Sequence, residues 1–303
     1  TNGPYKLVNW RANDFVYVER NPLFWDNANV CVDEVFYYPT VDNPAAERRV
    51  RNGELDLNTE FAGQNLEFLQ REIPDYVRVH PYLGIVYFAF NTTEPPFDDP
   101  RVRNALSMAV DRDFIATDIL RAGQIPAYSF VPPGIDNYDA PRPHVEWENM
   151  PREERLAEAK RLLEEAGYGP DNPLEVEYIH RSTDDNPKVA PVAQANWAEI
   201  APWVKPTIIK QDTKVLYARL RQSDFQVADG ASVADFDDPI NFLYLLKSDT
   251  GQQNYGNYNN PEYDALLIRS NSELDLKKRA ETFAEAEDLM LNDYPITPMW
   301  FQV

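Results

Sequence analysis

The sequence has a single cysteine, Cys31. That excludes an internal disulfide framework and any site built on several thiolates. Histidine is almost as scarce: His80, His144 and His180 are the three. None is spaced like a metal-binding pair such as HExxH, and each reads as structural. There is no glycine-rich phosphate loop and no GxSxG elbow, so neither a cofactor nor a metal is expected. Glycine is sparse, 11 residues against 25 prolines, which implies many fixed turns and long ordered connections. No apolar run approaches the ~18–20 residues of a membrane span, and no membrane insertion is expected. Positive charge is also in short supply. Lys and Arg total 29 against 50 Asp and Glu, for a net charge of −21. Phosphate backbones need clustered Lys and Arg, so nucleic acid is excluded as a partner and an anionic membrane surface is disfavoured. The acids are spread along the chain without an acidic tail, which reads as solubility.

What is present points to a globular protein. Apolar residues make up 43% and aromatics 13% of 303 positions, enough for a substantial core and for about two domains at ~150 residues each. The chain starts at Thr1 and carries no signal-peptide pattern, so it reads as a processed or partial form.

Periodicity gives a coarse map. Strands are expected over 5–10, 14–19 and 34–38, then a helix over 43–52 with Asn43 as its cap. A short strand (55–57) and another helix (62–72) follow. GIVYFAFNT (84–92) is almost continuously apolar, as in a strand covered on both faces. Helices are expected at 95–110, capped near Asp98 or Asp99, at 111–123 and at 150–169. Residues 126–150 are proline-rich and lack periodicity, so they read as a long ordered loop. Strands at 174–180, 204–210, 224–235 (one strand or a strand pair) and 296–301 then alternate with helices at 186–201, 212–222, 237–246, 261–271 and 274–292. Such alternation is the signature of an α/β fold.

The segment SVADFDDPINFL (232–243) carries the only enzyme-like material. Asp235, Asp237 and Asp238 could form a carboxylate pair. Yet acids in a turn just before a helix usually cap it, which suits Asp237 or Asp238 ahead of Pro239. Asp235 differs, because it ends an apolar run and lies outside the cap. A lone carboxylate at a strand mouth suits an ion pair with a cationic ligand group.

Several collinear motifs resemble one family. GPYKLVNW, RNPLFWD and VDEVFYYPTVDNPAAERRVRNGELDL resemble the middle of the peptide/nickel solute-binding proteins (family 5) of bacterial ABC transporters. FNTTEPPFDDPRVRNALSMAVDRD, AKRLLEEAGYG, ADFDDPINFL, NYGNYNNPEYD and AEDLMLNDYPITPMWF continue the likeness in the same order, nearest to the oligopeptide-binding branch. The resemblance implies type II periplasmic-binding-protein-like lobes, with mixed sheets flanked by helices. Residues 1–83 would be part of the first lobe and 84–303 the second, in a carboxy-terminal portion of a longer protein.

The resemblance also implies a function: a periplasmic, non-enzymatic protein that captures oligopeptides and delivers them to ABC permease subunits. In that branch, the Asp of an Ala-Asp-aromatic-x-x-Pro motif pairs with the ligand's α-ammonium. Here the motif is Ala234-Asp235-Phe236-Asp237-Asp238-Pro239, and residues 231–233 would pair with an extended peptide backbone. The implied ligand-binding set is Asp235, Ser232, Val233, Phe236, Asn254 and Tyr87. Two positions depart from the pattern: Ser232 stands where Trp is frequent, and Asp229 where Arg is. The alternatives are a hydrolase using Asp235 with Asp237 or Asp238, and a sensory binding protein for another amine-bearing solute.

Overall fold

A computed structural model describes residues 2–40, 42–183 and 185–303. Thr1 therefore lies outside the described residues. The chain divides into two compact units, Thr1–Val77 and Arg78–Val303.

The first unit is built on an antiparallel sheet, β1 (Tyr5–Arg11), β2 (Phe15–Arg20) and β3 (Glu34–Tyr37), in the order β1-β2-β3. Tyr17 and Phe36 face each other in register and stack at 4.4 Å, a cross-strand aromatic pair of the kind that stabilises a sheet. Helix α1 (Asn43–Arg51) is capped by Asp42, whose Oδ1 accepts from the Ala45 N–H at 2.8 Å. The cap is thus one residue earlier than Asn43, which forms the first residue of the helix itself. Glu47 accepts from the Ala62 N–H and Asn65 Nδ2, both at 2.7 Å, and so ties α1 to the turn before α2 (Leu66–Glu72). Residues 55–57 do not form the expected strand. Leu57 is exposed, and a two-residue apolar alternation with no neighbouring strand has nothing to pair with.

The second unit is organised by β4 (Gly84–Phe90), every residue of which is buried. Its uninterrupted apolar run places it inside a six-stranded sheet. The partners are β5 (Ile125–Pro126), β6 (Leu174–Arg181), β7 (Val204–Gln211), β8 (Val227–Val233) and β9 (Ile296–Phe301), in the order β5-β9-β4-β8-β6-β7. β4 runs antiparallel to β8 and β9, while β6 runs parallel to β7 and β8. The sheet is therefore mixed, as α/β lobes with crossover helices allow.

Helices cover both faces. α3 (Pro100–Ala109) starts at Asp99, whose Oδ1 accepts from the Arg101 N–H at 2.9 Å, with Pro100 in its first turn. The expected helix at 111–123 is instead a single turn, α4 (Arg112–Phe114), running into a π-helical stretch, Ile115–Leu120, that ends on left-handed Arg121. α5 (Arg152–Glu165), α6 (Asn186–Ile200) and α7 (Thr213–Leu220) follow, then a short α8 (Ile240–Leu243) and the pair α9 (Pro261–Ser272) and α10 (Leu276–Asp293). On one face of the sheet, Trp197 of α6 meets Phe88 at 5.7 Å and Tyr178 at 5.6 Å. On the other, Tyr87 packs edge-on against Phe130 at 5.5 Å, and Phe130 against Phe242 at 6.4 Å. Each such buried ring contributes roughly 1.5–3 kcal/mol.

One carboxylate ties the long 126–150 loop to α10. Glu287 of α10, fully buried, accepts from the backbone N–H groups of Phe130 (2.7 Å) and Val131 (2.9 Å) and from the Tyr138 hydroxyl. Burial pushes its carboxyl above the usual range, and these three donors pull it back.

Gly230 faces Tyr87 across the β4–β8 pair. A Cβ there would stand 2.6 Å from the Tyr87 ring, which Phe130 already holds. Gly230→Ala should therefore cost about 1–3 kcal/mol by overpacking. Denaturant unfolding reads this directly, and a change below ~0.5 kcal/mol, the range of neutral surface substitutions, would mean that the ring gives way freely.

Candidate functional site

The site candidate begins where β8 loses one of its neighbours. Along one side, β8 is paired with β4 from Val227 to Val233. Along the other, β6 reaches only Val227 and Ala228. β6 ends at Arg181, whose backbone N–H turns to the Asp229 side chain at 3.1 Å. Gly230, Ala231, Ser232 and Val233 thus keep an edge without a strand neighbour among the described residues. Val233 is 41% exposed. An open edge inside a sheet presents backbone donors and acceptors to any extended chain.

The sequence then leaves the strand. The Ala234 N–H donates to Leu83 O at 2.8 Å, which fixes the exit from β8. With its amide oxygen facing the loop, Asn241 accepts from the backbone N–H groups of Asp235 (3.1 Å) and Phe236 (3.2 Å). Asp237 accepts from the Asp136 N–H at 2.8 Å. Asp238 accepts from the Ile240 N–H at 3.0 Å and so caps the short helix that follows. It also takes a bidentate contact from Arg279 of α10, at 2.6 and 2.9 Å.

Of the three clustered acids, Asp237 and Asp238 are therefore held by the fold. The Asp235 carboxylate has no hydrogen-bond or ion-pair partner among the described residues, and it is exposed at the end of the open edge. Phe236 beside it is 55% exposed, an apolar surface next to a free charge. Chemically, the arrangement offers a strand slot of four residues ending at a carboxylate.

Two of the other expected contacts, Tyr87 and Asn254, are buried rather than open to a ligand. Tyr87 is 4% exposed, beneath Gly230 rather than at the surface, and burial raises its hydroxyl pKa far above the usual value. Asn254 is also 4% exposed. Its side chain donates to Tyr258 O (2.8 Å) and accepts from the Tyr258 N–H (3.0 Å), which closes its own loop. The two residues line one small cavity of about 10 Å³, room for about one water. Ser232 and Val233 lie on the open edge itself.

The inner end of the slot holds a buried ion pair. Asp229 is fully buried, and its Oδ2 accepts from Arg181 Nε at 2.8 Å. Asn186, with its amide oxygen turned toward the guanidinium, accepts from Nε at 3.2 Å and Nη2 at 3.1 Å. Burial raises the Asp229 carboxyl pKa, while the Arg181 charge and hydrogen bonds oppose the shift. Sequence reasoning marked Asp229 as a departure but did not find Arg181, Asn241 or Arg279. The two arginines have partners on other elements, 48 residues away for Asp229 and Arg181 and 41 for Asp238 and Arg279.

Comparison with known proteins identifies the family. Residues 1–254 match the family described as "Bacterial extracellular solute-binding proteins, family 5 Middle". The periplasmic oligopeptide-binding protein OppA of Salmonella typhimurium is 35% identical over 304 residues, which span 100% of this chain and 55% of that protein. The Escherichia coli murein tripeptide-binding protein MppA superimposes with a TM-score of 0.91 at 32% identity, covering 99% of this chain and 58% of its own. The Haemophilus influenzae OppA complex with the peptide RPPGFSPFR gives 0.88 at 29% identity, covering 99% and 58%. The chain thus spans little more than half the length of these relatives.

Proposed function

The chain belongs to the bacterial extracellular solute-binding proteins of family 5, and from that premise we propose that it supplies the peptide-binding lobe of a periplasmic protein that delivers oligopeptides to an ABC permease. Arg78–Val303 is the ligand-binding lobe in this reading, and Thr1–Val77 is part of the other. The observation that carries it is the free Asp235 carboxylate at the end of the open Gly230–Val233 edge. An extended peptide adds to that edge through its backbone, and its α-ammonium meets Asp235. Ser232 and Val233 supply backbone contacts, and Phe236 an apolar wall. Backbone pairing is indifferent to side chains, so peptides of varied sequence fit.

Binding rather than catalysis is the reading the acids favour. A hydrolase would need Asp235 to work with Asp237 or Asp238. Both of those are tied into the loop, Asp237 by the Asp136 N–H and Asp238 by Arg279. The test is mass spectrometry of solute released from the full-length protein after mild purification. Peptides with free amino ends are expected, returned intact after incubation. A ligand without an amine, or cleaved peptide, would overturn the reading.

A further inference from the structure

Asp235 lies on a loop, and a charge on a loop is useful only if the loop is held. The segment from Asp235 to Pro239 is largely exposed and makes no strand pairing. Among the described residues its one ion pair is Asp238 with Arg279, and both side chains are 16% exposed. Arg279 is itself fixed from two further directions. Its Nε donates to Ser270 O at 3.3 Å near the end of α9, and its guanidinium lies over the buried Phe283 ring at 4.5 Å. The planar guanidinium fork matches both carboxylate oxygens at once, which a lysine cannot do. The same carboxylate oxygen that takes Nη2 also takes the Ile240 N–H. The Arg279 contact therefore bears on the turn into α8, where Asn241 holds the Asp235 and Phe236 N–H groups.

We propose that Arg279 is a positioning residue for ligand capture: by clamping Asp238 to the α9–α10 pair, it presets the loop that aims Asp235 at the ligand's ammonium. This rests on the peptide reading given above. A loop already ordered in the free protein spares the ligand the cost of ordering it. Without the clamp, the Asp235 carboxylate samples orientations in which it cannot reach the ammonium, and the amine-dependent part of affinity falls. The backbone edge at Gly230–Val233 is paired with β4 independently of the loop, so the amine-independent part stays.

The experiment is a cycle in the full-length protein. Binding of one tripeptide, with free and with acetylated amino end, is measured by calorimetry for wild type, Arg279→Met, Asp235→Asn and the double variant. Asp238→Asn and Arg279→Lys serve as milder cuts of the same clamp, and melting temperatures are taken alongside. Arg279→Met should weaken the free-amine peptide about tenfold and the acetylated peptide less than twofold. It should add nothing in the Asp235→Asn background, and Arg279→Lys should fall between. Equal weakening of both peptides, or additive losses in the double variant, would overturn the positioning role and leave a merely structural arginine. If Asp235→Asn abolishes amine preference while no clamp variant alters it, the clamp proposal fails and the peptide reading stands. If Asp235→Asn leaves the preference intact, the assignment of Asp235 to the ammonium fails and takes this proposal with it.

Discussion

Replacing Asp235 by asparagine in the full-length protein should weaken binding of free-amine peptides by roughly tenfold to a hundredfold. A hydrogen bond to a charged group contributes about 1.5–3 kcal/mol when water is kept away, whereas an exposed ion pair contributes only about 0–1 kcal/mol. In the proposed reading the bound peptide covers a carboxylate that is exposed in this structure, so the larger figure is the one expected. Asparagine keeps the shape and the hydrogen-bonding oxygen but removes the charge, so the change reports the ion pair rather than a packing defect. Acetylating the peptide should weaken wild type by a similar factor and add little to the Asp235→Asn protein. Additive losses in that cycle would show that the two groups never meet.

The parts of this molecule that local chemistry dictates could be read from the sequence. The apolar run at 84–90 gives a strand buried along its whole length, and Asp99-Pro100 gives a helix start. The chain 296–301 forms the last strand within the expected bounds. The failures share a cause. The π-helical stretch Ile115–Leu120 closes with the Arg121 N–H on Ala116 O, five residues back, a bonding pattern that apolar periodicity does not announce. Residues 55–57 alternate like a strand but have no partner.

The candidate site divides the same way. That Asp237 or Asp238 would serve the turn follows from their place before Pro239, and Asp238 does accept from the Ile240 N–H. That Asp235 is free, however, depends on which distant arginine reaches which acid. The open edge of β8 depends on where β6 stops, a tertiary fact set by Arg181 turning its N–H to Asp229. No periodicity within β8 records it.

Arg181→Met should be the most destabilising of these changes, by about 3–5 kcal/mol at neutral pH, the usual cost of breaking a buried ion pair from one side. Asp229 is fully buried, so losing the guanidinium leaves the carboxylate, among the described residues, with the Arg181 backbone N–H as its hydrogen-bond donor, which the variant retains. In a unit of this size, 1 kcal/mol moves the melting temperature by roughly 2–4 °C, so a loss on the order of 10 °C is expected. The pH dependence fixes the cause. Burial already holds the folded-state pKa of Asp229 above its ordinary value even with Arg181 beside it, and without that charge it must climb further. Between the ordinary carboxylate range and that raised value, the folded state binds a proton that the unfolded state releases. Stability then falls as pH rises through the window and recovers as pH drops. The deficit of Arg181→Met against wild type should therefore be largest near neutrality and shrink toward the ordinary carboxylate range. Adding Asp229→Leu should restore most of the stability, because the buried charge that made the loss large is gone. A deficit that stays constant with pH and survives Asp229→Leu would assign the loss to the arginine's aliphatic packing instead.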